Sequence, residues 1–466
     1  MTIEYADAPV NAKELQRKLN QRQLSMLAIG GAIGVGLFLG SGYSIKVAGP
    51  AVILAYLFGA LIAIVVSYCL VEMVIVHPVA GSFGVYAHTY LGSWAGFSVR
   101  ATYGICQMIA IGAEVTAVGI YARYWLPHVP SVVWVAAASI ALVAINTMQV
   151  GGFGEFEYWF ALIKVIAIMA FIVIGVGLIV GFGRGPALGL SNFTAHGGFM
   201  PHGLRGVWLS LPLAATSYFG VEVIAVTAGE AKNPKESVPR AARAVVYRLI
   251  LFYLLSICVM LAMTPWDRVG SNLLSSPFVS AFSSVGISHA ATIMNLVVIA
   301  AALSSCNTDL YVTTRMLFSL AREEYLPRSI GILSRNGVPH RALGVSTGGM
   351  IAAILLAIYV PSNAFLMLYG TALAGMFFVW IIILVTHLRF RKTLTPELLA
   401  GLPMRVALFP YSTIFGIVGV LAIALSTFYV DGMRYCVPTF VPFLLAISIV
   451  YWWIRRSADV CIADQT

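Results

Sequence analysis

Lys164, Glu114, Glu222, Asp309 and Glu72 are ionisable residues standing inside long apolar stretches of this 466-residue chain. In hydrocarbon such a group is costly, and it faces a cavity or a partner. Lys164 lies nine residues into its stretch, roughly 14 Å at 1.5 Å per residue, too deep for easy snorkelling. Two readings stand for it: a proton-exchange site, or a permanently charged lysine bridging backbone carbonyls. Both place it against another helix. Glu114, in IGAEVTAVG, suits contact with a substrate amine, proton binding, or a structural hydrogen bond to a neighbouring helix. Glu222 directly follows an interruption in its stretch, where a carboxylate can accept from orphan amides, and reads as structural. Asp309, in SSCNTDLYVTTR, and Glu72 stand nearer the inner ends of their helices. For these two the expectation is a solvated or cytoplasm-facing position.

Other chemistries fail on spacing. No two of the eight histidines stand four apart on a helix, as a helical zinc site requires, and no GxxxxGK[ST] loop is present. Neither a nucleophile with a base nor a metal cluster emerges, so no enzyme activity, cofactor or metal is expected. Cys69, Cys106, Cys258, Cys306 and Cys436 fall inside apolar stretches and only Cys461 in a polar tail, which argues against a disulfide framework.

The elements that position these residues are membrane spans. The chain is 60% hydrophobic and 10% charged, against a globular norm of roughly 45 to 50% and 25%. Windows of about 20 apolar residues predict twelve helices, at 23–48, 50–76, 94–125, 131–149, 155–182, 204–229, 238–263, 289–320, 342–360, 364–388, 406–430 and 435–454. The first 22 residues are polar and charged, so the first span is expected to serve as the targeting signal. With the N-terminus in the cytoplasm, 20 of the 28 Lys and Arg fall on the inner side and 6 outside, while Arg100 and Lys164 lie within spans. This positive-inside pattern explains the net charge of +10 without nucleic acid and places both termini in the cytoplasm. Connections are short: 77–93 is expected to be a re-entrant or interfacial element on the inner face, and 264–288 a partly helical, amphipathic one on the outer side. One transmembrane domain over 23–455 follows, between a segment 1–22 and a tail 456–466.

Two spans are interrupted. Six glycines fall between Gly30 and Gly42 in GGAIGVGLFLGSG, and a second break spans Thr216-Ser217-Tyr218-Phe219-Gly220-Val221-Glu222. Unwound backbone in hydrocarbon costs several kcal/mol per unpaired group unless protein, water or a ligand satisfies it. At Ala32-Ile33-Gly34-Val35-Gly36, freed amides opening the outer half-helix suit a carboxylate. Freed carbonyls closing the inner half suit an ammonium. Such a pair of breaks can recognise a zwitterion without charged side chains, and it is the arrangement of a transporter built from inverted repeats. Close helix packing by small residues is the bland alternative for the first break. Tyr218, Trp208 and Tyr369 read as packing or interface residues, and Phe219, inside a break, as a gate. Ile111, Ser304 and Thr371 are candidates for contact with a substrate side chain.

Several of these stretches carry a resemblance. QRQLSMLAIGGAIGVGLFLGSG (21–42), AGPAVILAY (48–56), PVAGSFGVYA (78–87), GEFEYWFALIKV (154–165), GGFMPHGLRGV (197–207), SYFGVEVIAVTAGEAKNPKESVPRA (217–241), SPFVSAF (276–282) and SLAREEYLP (319–327) are similar to amino acid permeases of the amino acid/polyamine/organocation superfamily. Within it the chain resembles the amino acid transporter branch with the GABA, aromatic, lysine and proline permeases. The resemblance implies an all-α polytopic fold of the leucine-transporter kind. Repeat one would cover about 23–182, repeat two about 204–388, and two extra helices 406–454. It implies that amides of Val35 and Gly36 hold a substrate carboxylate, that carbonyls of Ala32, Thr216 and Phe219 hold its amine, and that Ile33, Gly34 and Gly220 belong to the same breaks. Phe219 would be the gate. Lys164 would stand where sodium-coupled relatives keep sodium, implying proton symport, with Glu114 at a position commonly acidic. Asp309, in NTD, departs from the usual small or apolar residue. The function implied is import of an amino acid with a proton across a bacterial inner membrane by alternating access; a proton-independent amino acid or polyamine exchanger is the alternative.

Overall fold

The described residues of the computed structural model run from 21 to 463, leaving out 80, 148–149, 183–185, 229–230, 232, 270–275, 287, 335–336, 360–363 and 431–432. Expectations resting on 1–20 and 464–466 therefore lie outside them, as do the side chains of Tyr369 and Thr371.

All described elements are helical. The first half comprises α1 (Gln21–Ala32), a π-helical turn (Gly36–Gly40), α2 (Ser41–Ala48), α3 (Val52–Val76), α4 (Ser82–Leu91), α5 (Ser93–Ala122), α6 (Ser131–Asn146) and α7 (Val150–Val180). The second comprises α8 (Gly203–Thr216), α9 (Val223–Thr227), α10 (Pro234–Met263), α11 (Trp266–Val269), α12 (Pro277–Ser284), α13 (Ser288–Arg322), α14 (His340–Ser346), α15 (Gly348–Tyr359) and α16 (Ala364–Arg391). Three more helices follow, α17 (Pro396–Ala400), α18 (Tyr411–Ser426) and α19 (Cys436–Ala463).

Among the described residues, nine helical stretches are long and apolar enough to cross a membrane. The protein is a multi-pass membrane protein. The stretch count differs from the twelve windows at three places. Ser25–Val76 runs as one apolar stretch of 52 residues, far more than the roughly 20 that span a bilayer. It turns at Gly49, whose φ of +63° suits glycine, in a 3-10 turn that separates α2 from α3. Ser131–Asn146 is apolar but only 16 residues long. The stretch 204–229 is split into α8 and α9, of 14 and 5 residues. The window 406–430 begins late, at Tyr411, and the last helix continues to Ala463, through much of the stretch read as a tail.

Outward faces are apolar where lipid would meet them. On α7 they carry Ile163, Ile166 and Val173, and on α19 Val441, Leu445 and Ile449, all exposed. The loop elements are partly buried. In α4, Phe83 packs edge-on against Tyr103. In α12, Phe278 is buried between Phe38 and Phe171, with ring centroids 4.9 and 4.8 Å away.

The site depends on α5 and α13, which pack antiparallel over most of their length. The register follows from the contacts. Asn295 donates to the Tyr121 carbonyl at 3.0 Å, Gln107 to Asp309 at 3.1 Å, and Arg100 to Ser319 at 3.0 Å. As one index rises the other falls.

Candidate functional site

Both breaks are present in the main chain. In the first, the helical ladder ends where Ile33 N–H donates to the Ile29 carbonyl at 2.9 Å, and Gly34 N–H turns back to Ala32 at 3.2 Å. The next bond, Phe38 to Gly34, is stretched to 3.4 Å as the π-helical turn begins. In the second break, Tyr218 and Phe219 donate three residues back, to Ala215 and Thr216 at 2.9 and 3.1 Å. Gly220 there has φ +101°, and an ideal Cβ on it would stand 2.8 Å from the Gly31 carbonyl carbon. Glycine is required both for that conformation and for that approach of one chain to the other.

The Gly220 amide, which the break deprives of a helical partner, donates to both carboxylate oxygens of Glu222 at 3.1 and 3.2 Å. Trp380 Nε1–H reaches the same carboxylate at 3.4 Å. Glu222 thus accepts from both of these donors and does not border the cavity described next.

Between the breaks lies a small cavity of about 60 Å³, concave and mostly apolar as small-molecule sites are. Ala32, Gly34, Val35, Gly36, Thr216, Phe219, Gly220 and Glu114 all line it. Eight of the residues singled out from sequence are thus brought to one place. Phe219 sits edge-on against Trp380, 4.9 Å between centroids, one aromatic side of the chamber.

Ile33 and Lys164 are not among the lining residues. Lys164, wholly buried, donates from Nζ to the carbonyls of Gly30 at 2.6 Å and Ile33 at 2.9 Å. It stands behind the first break and holds two of the carbonyls that helix unwinding frees. The Ala32 carbonyl accepts from Tyr253 Oη at 2.8 Å as well as from the Gly34 amide at 3.2 Å.

Two expectations are corrected. Asp309 is not solvated: it is 7% exposed, lines the cavity, and accepts from Gln107 Nε2. Glu72 is fully buried, held by Arg391 through Nε at 2.7 Å and Nη2 at 2.8 Å, by His387 at 2.8 Å, and by the Val406 amide. Hydropathy windows misplace both, because an acid at a span end is read as wet whenever its partner lies hundreds of residues away. Arg100 likewise has its counterion, with two bonds to Glu323 at 2.6 and 2.5 Å.

Of the proposed side-chain contacts, Ile111 is buried away from the cavity and Ser304 donates to Glu157, while Ser305, Gln107 and Ala110 line it instead. Glu157 itself was not singled out from sequence. It is fully buried and accepts from Ser304 and from Asn307 at 2.9 Å, and Asn307 in turn accepts from Asn146 at 2.6 Å. Its spacing was a usable signal, since seven residues before Lys164 is two turns along the same helical face. The same spacing relates Gln107 to Glu114.

An interrupted helix pair around a cavity, inside a multi-pass membrane protein, is an arrangement that membrane carriers share. Residues 23–463 match the family model described as amino acid permease, and the chain belongs to that family. It is 40% identical over 448 residues to an uncharacterized amino acid permease, YtnA, of Bacillus subtilis, covering 94% of this chain and 95% of the relative. It is 39% identical over 421 residues to the gamma-aminobutyric acid permease of the same organism, covering 90% and 89%. With the aromatic amino acid transport protein AroP of Escherichia coli it shares 36% over 452 residues, covering 96% and 98%.

Proposed function

We propose that this protein is a secondary carrier that imports an amino acid together with a proton across a bacterial inner membrane by alternating access. Twelve spans would be arranged as two inverted five-helix repeats and two extra helices, with both termini in the cytoplasm. Amides of Val35 and Gly36 would take the substrate carboxylate, and carbonyls of Ala32, Thr216 and Phe219 its ammonium. Ile33, Gly34 and Gly220 would shape the two breaks, and Phe219 would close over the bound molecule.

The observation that carries this reading is the convergence of both helix interruptions on one cavity, lined by main chain from each. A channel would need a continuous polar pore or a selectivity ring, whereas the two glycine-bearing breaks meet here at one cavity. Glu114 lines that cavity and Lys164 bonds to the carbonyls behind it. Protonation at either would be felt at the substrate site, and such reciprocal linkage is what coupling requires. The rocking element would be the bundle of spans 1, 2, 6 and 7.

The grip of two carbonyls on Lys164 also favours a second reading, a lysine that stays charged in a proton-independent exchanger. Purified protein in proteoliposomes separates the two. Under an inward-directed pH gradient, wild type should accumulate labelled amino acid and Lys164→Ala should not, while substrate is recovered chemically unchanged. Full proton-driven uptake by the variant, or uptake that requires sodium, rejects the symport assignment. Substrate counterflow without any pH dependence supports the exchanger.

A further inference from the structure

The cavity wall carries two carboxyl groups, Glu114 and Asp309, and no basic side chain among its lining residues. One oxygen of Glu114, Oε2, is buried without a hydrogen-bond partner, on a residue only 5% exposed. Burying a polar group in that way is unfavourable unless something arrives to pair with it. Asp309 has one oxygen tied to Gln107, which fixes the carboxyl against the wall without supplying positive charge.

The two acids belong to different ends of the chamber. An ideal Cβ on Gly34 would meet Ser305 Oγ at 2.5 Å and Glu114 Oε1 at 3.0 Å, so Glu114 and Ser305 flank the first break. Asp309 stands four residues beyond Ser305, about 6 Å along the helix at 1.5 Å per residue. Gln107 stands seven residues from Glu114 on the antiparallel partner, about 10 Å by the same rise. Ala110 stands between Gln107 and Glu114 on α5, and apolar Leu373 and Met376 line the same cavity.

A break for the zwitterion, an apolar waist and an anchored carboxylate roughly one to two helical turns away match one kind of molecule. We propose that the substrate is an amino acid with a cationic side chain, of the lysine, ornithine or arginine type, and that Asp309 receives the side-chain cation. This deepens the carrier reading and rests on it. An aliphatic stem with a charged head buries its methylenes along apolar surface and places its cation on the acid. A hydrogen bond to an ionised acceptor at the far end also discriminates more strongly than an apolar pocket does.

The test is competition against labelled-substrate counterflow in proteoliposomes, with lysine, ornithine and arginine set against norleucine, methionine and alanine. Wild type should prefer lysine to norleucine by about tenfold or more. Asp309→Asn, which keeps the size and the capacity to bond Gln107, should lose that preference because lysine weakens about tenfold while norleucine changes far less. Its binding of neutral amino acids reports that the variant is folded. Equal affinity of wild type for lysine and norleucine overturns the proposal and leaves the carrier intact. So does an Asp309→Asn variant that weakens both classes alike. Failure of every amino acid to exchange overturns the carrier reading, and this inference with it.

Discussion

At Arg100 with Glu323, and again at Glu72 with Arg391 and His387, each charge buried in the helix bundle meets an opposite one through two or more hydrogen bonds. Around the cavity the balance is different: Glu114 and Asp309 face it, and the nearby cation, Lys164, is occupied with main-chain carbonyls. The same physics governs both regions. A buried charge left without a counterion is expensive, and it persists only where something else depends on it. The first kind of cluster closes on itself and fastens helices together. The second leaves polar capacity open towards a space that another molecule can enter.

Experiments can break this contrast. The largest effect is expected for Arg391→Ala, which leaves the Glu72 carboxylate buried with its main counterion gone. Removing one member of such a pair costs about 3–5 kcal/mol, to be read as a fall in thermal or denaturant midpoint in detergent. A change below about 1 kcal/mol would mean that this cluster is as open as the cavity. Glu114→Gln should act in the opposite sense. Removing charge from an acid with an unpartnered buried oxygen should raise stability by about 1 kcal/mol while weakening substrate binding. A loss of stability there would show that Glu114 belongs with the closed clusters. The smallest effect is expected for Arg22→Ala. Its bond to Glu155 at 2.9 Å joins two side chains about half exposed, and such surface pairs contribute about 0–1 kcal/mol. The midpoint and uptake should both stay where they are.

How far the sequence discloses this arrangement depends on the range of the interaction. The all-helical, multi-pass character and both breaks were legible because they rest on local signals, runs of apolar residues and glycines in the wrong place for a helix, whereas the count of spans was not: nine stretches among the described residues are long and apolar enough to cross. The capping of the Gly220 amide by Glu222 was legible for the same reason, the two being neighbours. Asp309 and Glu72 were misread because what surrounds them comes from α5 and α16, distant in the chain. Glu157 went unnoticed although it shares a helical face with Lys164, and only the fold reveals that Ser304 and Asn307 close around it. Ile33 was grouped with the lining residues because it lies in the first break, yet its carbonyl is turned to Lys164. Spacing tells which residues share a face, while the partner of that face is a property of packing.

The approach of Gly220 to Gly31 has a mechanical meaning. Gly220 lies so near the carbonyl of Gly31 that not even a methyl group fits between them. The two bent rods therefore touch backbone to backbone at their kinks, and a rotation of either would be passed to the other without any side chain as intermediary. On the carrier reading, a cargo lodged against one kink would be felt at the second by direct push, and the gearing would slip with the addition of a single carbon atom.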